Sequence, residues 1–158
     1  MLVDSHCHLD FADFDAERDD IVRRAGEAGV GLMVTISTRV LKFERIRAIA
    51  EAYGNVFCSV GTHPHNAAEE TDVTAEELVG LSAHEKCVAI GEAGLDYHYD
   101  KSPRDAQANG LRAHISAARQ TGPGLLAQEP RRHVRRMRDQ GVPDFARDGR
   151  HVRSDPGQ

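Results

Sequence analysis

The chain has 158 residues, 40% of them hydrophobic, with 25 acidic against 20 basic residues and a formal net charge of −5. That length suits one domain, and no apolar run approaches the roughly 20 residues of a membrane span, so a membrane protein is excluded as an expectation. No basic segment leads into an apolar one at the start, and Cys7, Cys58 and Cys87 are odd in number and scattered. This predicts free buried thiols in a reducing cytoplasm and neither a secreted chain nor a disulfide framework.

The first apolar run predicts a strand over Leu2 to Ser5, followed by a helix over Asp15 to Ala28 with Ile21, Val22 and Ala25 on one face and Gly29 just past its end. A nearly continuous apolar strand over Gly31 to Ser37 precedes a helix over Val40 to Tyr53, whose expected buried stripe is Leu41, Ile46, Ile49 and Ala50. The third strand is Val56 to Val60. Thr74 with Glu77 then forms a capping-box pattern ahead of a helix over Ala75 to Ala83. A fourth strand over Lys86 to Gly91 and a helix over Pro103 to Gln120 complete four strand-helix units, which imply an α/β fold with a parallel sheet covered by helices.

The pattern changes at Gly122-Pro123-Gly124. Up to Pro123 there are 12 basic and 20 acidic residues; beyond it eight arginines face five acids, with few large apolar residues to form a core. The chain is therefore read as a domain over 1–122 and an arginine-rich irregular tail over 123–158. The joint loss of periodicity and charge balance suggests a truncated or out-of-frame continuation.

In parallel α/β sheets functional residues collect at the carboxyl ends of the strands. The unusual polar residues fall there: His6 and His8 after the first strand, Gly61-Thr62-His63-Pro64-His65 after the third, and Gly91-Glu92-Ala93-Gly94-Leu95-Asp96-Tyr97 at the fourth. Side chains alternate along a strand, so His6 and His8 point the same way, roughly 6–7 Å apart, while Cys7 points into the opposite layer. Imidazole nitrogens bind zinc and its neighbours at about 2.0–2.1 Å, so both rings can lean onto one ion. Asp96 is expected to cap the segment after the strand, and Tyr97, His98 and Tyr99 to pack.

These three motifs, in order and at matching strand ends, resemble the TatD family of metal-dependent deoxyribonucleases, relatives of the amidohydrolase barrels. The resemblance implies a TIM-like (β/α)8 barrel, of which this chain supplies the N-terminal half. It also implies two divalent ions (Mg, Mn or Zn), hydrolysis of phosphodiester bonds in DNA, His6 and His8 as metal ligands, and Glu92 as the bridging, catalytic carboxylate. His63 would lie at the same mouth and bind substrate. The family pattern continues with a histidine followed by Ser-Arg, a further histidine and a late aspartate, none of which has a match here; His133 and His151 lie in arginine-rich, Pro- and Gly-broken sequence and do not replace them.

The expectation is therefore ligands for one incomplete site, weak or absent nuclease activity, and self-association through open sheet edges. Two other classes compete: a nucleic-acid-binding protein using the arginine tail, and an amidohydrolase-like enzyme acting on C–N or ester bonds.

Overall fold

The computed structural model describes residues 1–121 and 124–128; the arginine-rich segment, with His133 and His151, lies outside the described residues. Among the described residues nine regular elements alternate: β1 (Leu2–Cys7), α1 (Arg18–Glu27), β2 (Val30–Thr35), α2 (Phe43–Ala52), β3 (Val56–Val60), α3 (Ala75–Ser82), β4 (Cys87–Gly94), α4 (Arg104–Thr121) and β5 (Gly124–Gln128). Short 3₁₀ turns at Ala12–Phe14, Val40–Lys42 and Pro64–Asn66 follow β1, β2 and β3. The five strands form one sheet in the order β1-β2-β3-β4-β5, every neighbouring pair parallel. Each helix crosses back between adjacent strands, so all strands end at the same edge.

The core lies between the helices and the sheet, where Val56, Val60, Leu78, Ile90 and Ala117 are fully buried. The described edge strand β1 contributes little to it: Leu2 and Val3 are 64% and 54% exposed. Of the three free thiols, Cys7 is partly buried beneath β1, with Sγ 3.3 Å from the Val34 carbonyl. Burial, with Asp4 and Asp10 nearby, pushes its pKa up to about 12. Cys58 and Cys87 are register partners on β3 and β4. The neighbouring Cys87 thiol, together with burial, raises the Cys58 pKa.

Local chemistry sets the boundaries. Gly29 follows α1 with φ +91°, the left-handed conformation that favours glycine past a helix end. The Thr74 hydroxyl accepts the Glu77 N–H at 3.1 Å and starts α3. Three expectations need correction. The first helix starts at Arg18 instead of Asp15, because the backbone bonds before it are of the tighter 3₁₀ type, Asp15 N–H to Ala12 O at 3.1 Å and Glu17 N–H to Phe14 O at 3.0 Å. Leu41 is 77% exposed, and Phe43, 2% exposed, takes its expected place in the stripe. A 3₁₀ turn over Val40–Lys42 changes the helical phase, so Val40 and Phe43, three apart, both face inward. Finally, the sheet continues past residue 122: β5 pairs with β4 from Ala89↔Gly124 to Gly94↔Gln128, inside the segment expected to be irregular.

Candidate metal centre

The site is assembled by ties between strand ends. Ser37, just after β2, donates through Oγ to the Gly61 carbonyl at 2.9 Å, receives the Glu92 N–H on its own carbonyl at 3.1 Å, and bonds through its N–H to Ser59 Oγ at 3.1 Å. One buried serine therefore joins the ends of β2, β3 and β4. Gly61 and Gly91 meet at this seam. A Cβ on Gly61 would sit 2.5 Å from Gly91 Cα, so only glycine lets the Thr62–His65 loop leave β3 this close to Glu92.

His6 lies in β1, His8 just beyond it and Glu92 within β4. Their ligand atoms all lie within 4.8 Å of one another, with His6 Nε2 3.6 Å from Glu92 Oε2 and the two imidazole rings edge to face at 5.2 Å. His8 Nδ1 is buried with no hydrogen-bond partner among the described residues. Burying a polar nitrogen without a partner is costly, and two imidazoles with a carboxylate form a donor set for a divalent cation. The residues present fit a metal ion.

The third motif lines the same mouth. A cleft of about 660 Å³ is bounded by His8, Phe11, His63, His65, Glu92 and Lys101 among others. His63 opens the 3₁₀ turn Pro64–Asn66, its N–H on the Thr38 carbonyl at 3.0 Å and its Nδ1 accepting the His65 N–H at 3.1 Å. That acceptor role leaves the ring proton of neutral His63 on Nε2. His65 pairs through Nε2 with Asp96. Asp96 also accepts the His98 and Tyr99 N–H groups at 2.9 and 3.1 Å, the capping role expected of it. Burial works to raise the Asp96 pKa, but the Tyr99 N–H, the His65 ring and the His98 N–H together hold it below the ordinary carboxylate value. Tyr97 packs under the Arg104 guanidinium at 4.6 Å, and Tyr99 sets its ring edge-on to His65 and His98.

Beneath this loop lies a buried polar group absent from the sequence-based expectations. His114 on α4 is 1% exposed; its Nε2 accepts the Thr62 N–H at 3.0 Å and its Nδ1 donates to Gly110 O at 2.7 Å. Glu70, 4% exposed, accepts the Val40 and Leu41 N–H groups at 3.0 and 2.9 Å and the Thr62 hydroxyl. Gln107 accepts the Asp96 N–H at 2.7 Å. Gln107 and His114 are seven residues apart, on the stripe of α4 that buries Ala117, which was the available signal.

Burial pushes the His114 pKa below its ordinary 6.5, outweighing the Gly110 carbonyl and the Glu70 charge, which act to raise it. The unfolded chain then binds a proton that the folded chain refuses, so this contribution is complete above about pH 6.5 and declines as pH falls toward the lower folded value. Wild-type stability is expected to fall more steeply than that of His114→Gln between about pH 6.5 and 5 in parallel urea titrations. Equal slopes would show that His114 accepts its proton freely in the folded chain.

The sequence profile of the family described as "TatD related DNase" matches residues 3–126. The chain is 37% identical over 120 residues to YabD of Bacillus subtilis, named an uncharacterized metal-dependent hydrolase, with 76% of this chain and 47% of that protein covered. It is 30% identical over 117 residues to a protein of Shigella flexneri named 3'-5' ssDNA/RNA exonuclease TatD, covering 74% of this chain and 45% of the relative. The crystal structure of YjjV, a TatD homolog from Escherichia coli, superposes with a TM-score of 0.75 at 30% identity over 85% of this chain and 52% of that one. The chain spans about half the length of the curated relatives it matches.

Proposed function

This chain belongs to the TatD-related DNase family, and we propose that its His6, His8 and Glu92 hold one divalent ion of a hydrolase acting on phosphodiester bonds of single-stranded DNA or RNA. The observation that carries the reading is the convergence of three ligand atoms within 4.8 Å at the carboxyl edge of the sheet. A divalent ion bound there supplies Lewis-acid polarisation of a phosphoryl oxygen and lowers the pKa of water. The protein's own groups orient the phosphate. His63, with its proton on Nε2, donates to a non-bridging oxygen, and the Asp96-braced His65 stiffens the loop that carries it. Glu92, 9% exposed on a strand tied to Ser37, keeps its carboxylate at the cleft in a fixed position.

The resemblance implies two ions, and the three ligand residues brought together among the described residues serve one. Turnover by this chain is therefore expected to be slow or absent, since a second ion would stabilise the leaving oxygen. Purified protein incubated with an end-labelled single-stranded oligonucleotide and Mn²⁺ tests this. Cleavage is expected to be weak at most, with whatever is seen stopping in Glu92→Gln. Rapid turnover would overturn the one-ion limit, and turnover that Glu92→Gln leaves unchanged would overturn the site itself.

A further inference from the structure

The wall of the cleft beside His8 carries an aromatic surface that the metal cluster does not use. Phe11 caps the 3₁₀ turn Ala12–Phe14 at its start and Phe14 closes it, with the Phe14 N–H on the Phe11 carbonyl at 3.0 Å. Side chains three apart in a 3₁₀ turn eclipse one another. The two rings accordingly stack, centroids 6.4 Å apart and planes 16° from parallel. His8 continues the series, stacked on Phe11 at 5.0 Å and 10°. Three near-parallel rings thus run outward from the metal cluster.

Water reaches this ladder. Phe11 is 48% and Phe14 38% exposed, and Phe11 borders the cleft. The loop is braced on its other side: Leu9 is buried, Arg18 Nε donates to Leu9 O at 2.7 Å, and Arg45 donates to Asp10 O at 2.8 Å. The exposed rings are therefore held in place before any ligand arrives. His63 and Lys101 line the same cleft, supplying a donor and a cation for phosphates. Aromatic planes and cations along one groove are the composition by which proteins take up single strands, because every base has a π-face and every nucleotide a charge.

We infer that Phe11 and Phe14 form a base-stacking platform for single-stranded nucleic acid, seating a base beside the metal cluster while Lys101 meets the phosphates. This rests on the reading that nucleic acid is the ligand of the site, and adds how it is held. Paired bases in a duplex are already stacked on their neighbours and offer the platform only an end. The preference is for single strands with little discrimination among bases.

The test is a binding measurement in chelator, so that no cleavage intervenes. The probe is a short single-stranded DNA with one 2-aminopurine, compared with the same strand made abasic at that position. Wild-type protein is expected to bind the base-carrying strand about tenfold more tightly than the abasic one and to quench its fluorescence. Phe11→Leu, which keeps apolar volume and removes the ring, is expected to lose that tenfold and to bind both strands alike. Lys101→Met is expected to flatten the dependence of log affinity on log salt by about 0.7. Wild-type binding indifferent to the missing base overturns the platform while leaving the nuclease reading intact, and needs no variant to fold. Failure to bind any single strand overturns the platform together with the assignment of nucleic acid as ligand.

Discussion

Replacing His6 by alanine is expected to abolish the thermal stabilisation of this protein by divalent ions while leaving the metal-free protein nearly unchanged. An ion at a hundred times its dissociation constant stabilises the folded state by about 2.7 kcal/mol. For a chain of this size that raises the melting temperature by about 5–10 °C. His6 is the ligand to remove first because its side chain is 46% exposed, against 11% for Glu92. Trimming it leaves no cavity, and the metal-free midpoint should shift by no more than about 0.5 kcal/mol. Glu92→Gln should lose the same shift, since the amide keeps the shape but not the charge. Two imidazoles and one carboxylate favour zinc and manganese over magnesium, which prefers all-oxygen shells, so the stabilisation should fall in that order. Scanning calorimetry of the three proteins, with and without each ion, decides the matter. An ion-induced shift that survives both substitutions would place the metal elsewhere.

The sheet and the cluster were legible in the sequence because both depend on local periodicity. A strand places alternate residues on one side, so His6-Cys7-His8 announces two imidazoles on one side and a thiol on the other, and the Cys7 sulfur does turn to the Val34 carbonyl of β2 while the two rings meet at 5.2 Å. Glu92 was legible for a related reason: apolar Val88 to Ile90 precede it, and such a run in a parallel sheet ends at the functional edge. Leu41 was misread because a 3₁₀ turn and an α-helix share similar apolar spacing over one turn and differ in phase afterwards. β5 was missed because Gly124-Leu125-Leu126-Ala127-Gln128 is too short to signal a strand alone, and its pairing partners on β4 lie over thirty positions earlier. Long sequence separation also hid the polar supports of the site. Thr62 and His114 are 52 residues apart and Glu70 caps a turn 30 residues before it, so neither bond leaves a pattern in either segment. The exposed Phe11 and Phe14 carry no periodic signal either, since they belong to a single turn.

Glu70→Ala is expected to produce the largest loss of stability of any single substitution considered, about 3–5 kcal/mol, although among the described residues its hydrogen bonds go to Val40, Leu41 and Thr62 and not to the proposed ligands His6, His8 and Glu92. Its carboxylate is 4% exposed and accepts three donors: the Val40 and Leu41 N–H groups and the Thr62 hydroxyl. Hydrogen bonds to a charged acceptor contribute about 1.5–3 kcal/mol each, and donors stranded in the interior cost their desolvation as well. Alanine would also leave the 3₁₀ turn ahead of α2 without the cap that directs Val40 and Phe43 inward. Gln keeps one acceptor oxygen but turns an NH₂ toward donors, so Glu70→Gln should lose roughly half as much. Thr62 is the shared element: its hydroxyl rests on Glu70 and its N–H on His114, and these two bonds fix the strand end from which His63 departs. Both anchors serve one residue, so the losses should not add. Glu70→Ala combined with His114→Gln should fall short of the sum of the single losses by more than about 0.5 kcal/mol in urea unfolding, the limit for independent sites. Additivity within that limit would show that the two groups support separate parts of the fold, and a Glu70→Ala loss below about 1 kcal/mol would show that water replaces the carboxylate. The ion-induced stabilisation should survive in Glu70→Ala, because His6, His8 and Glu92 are held by β1, β4 and Ser37 and not by this network.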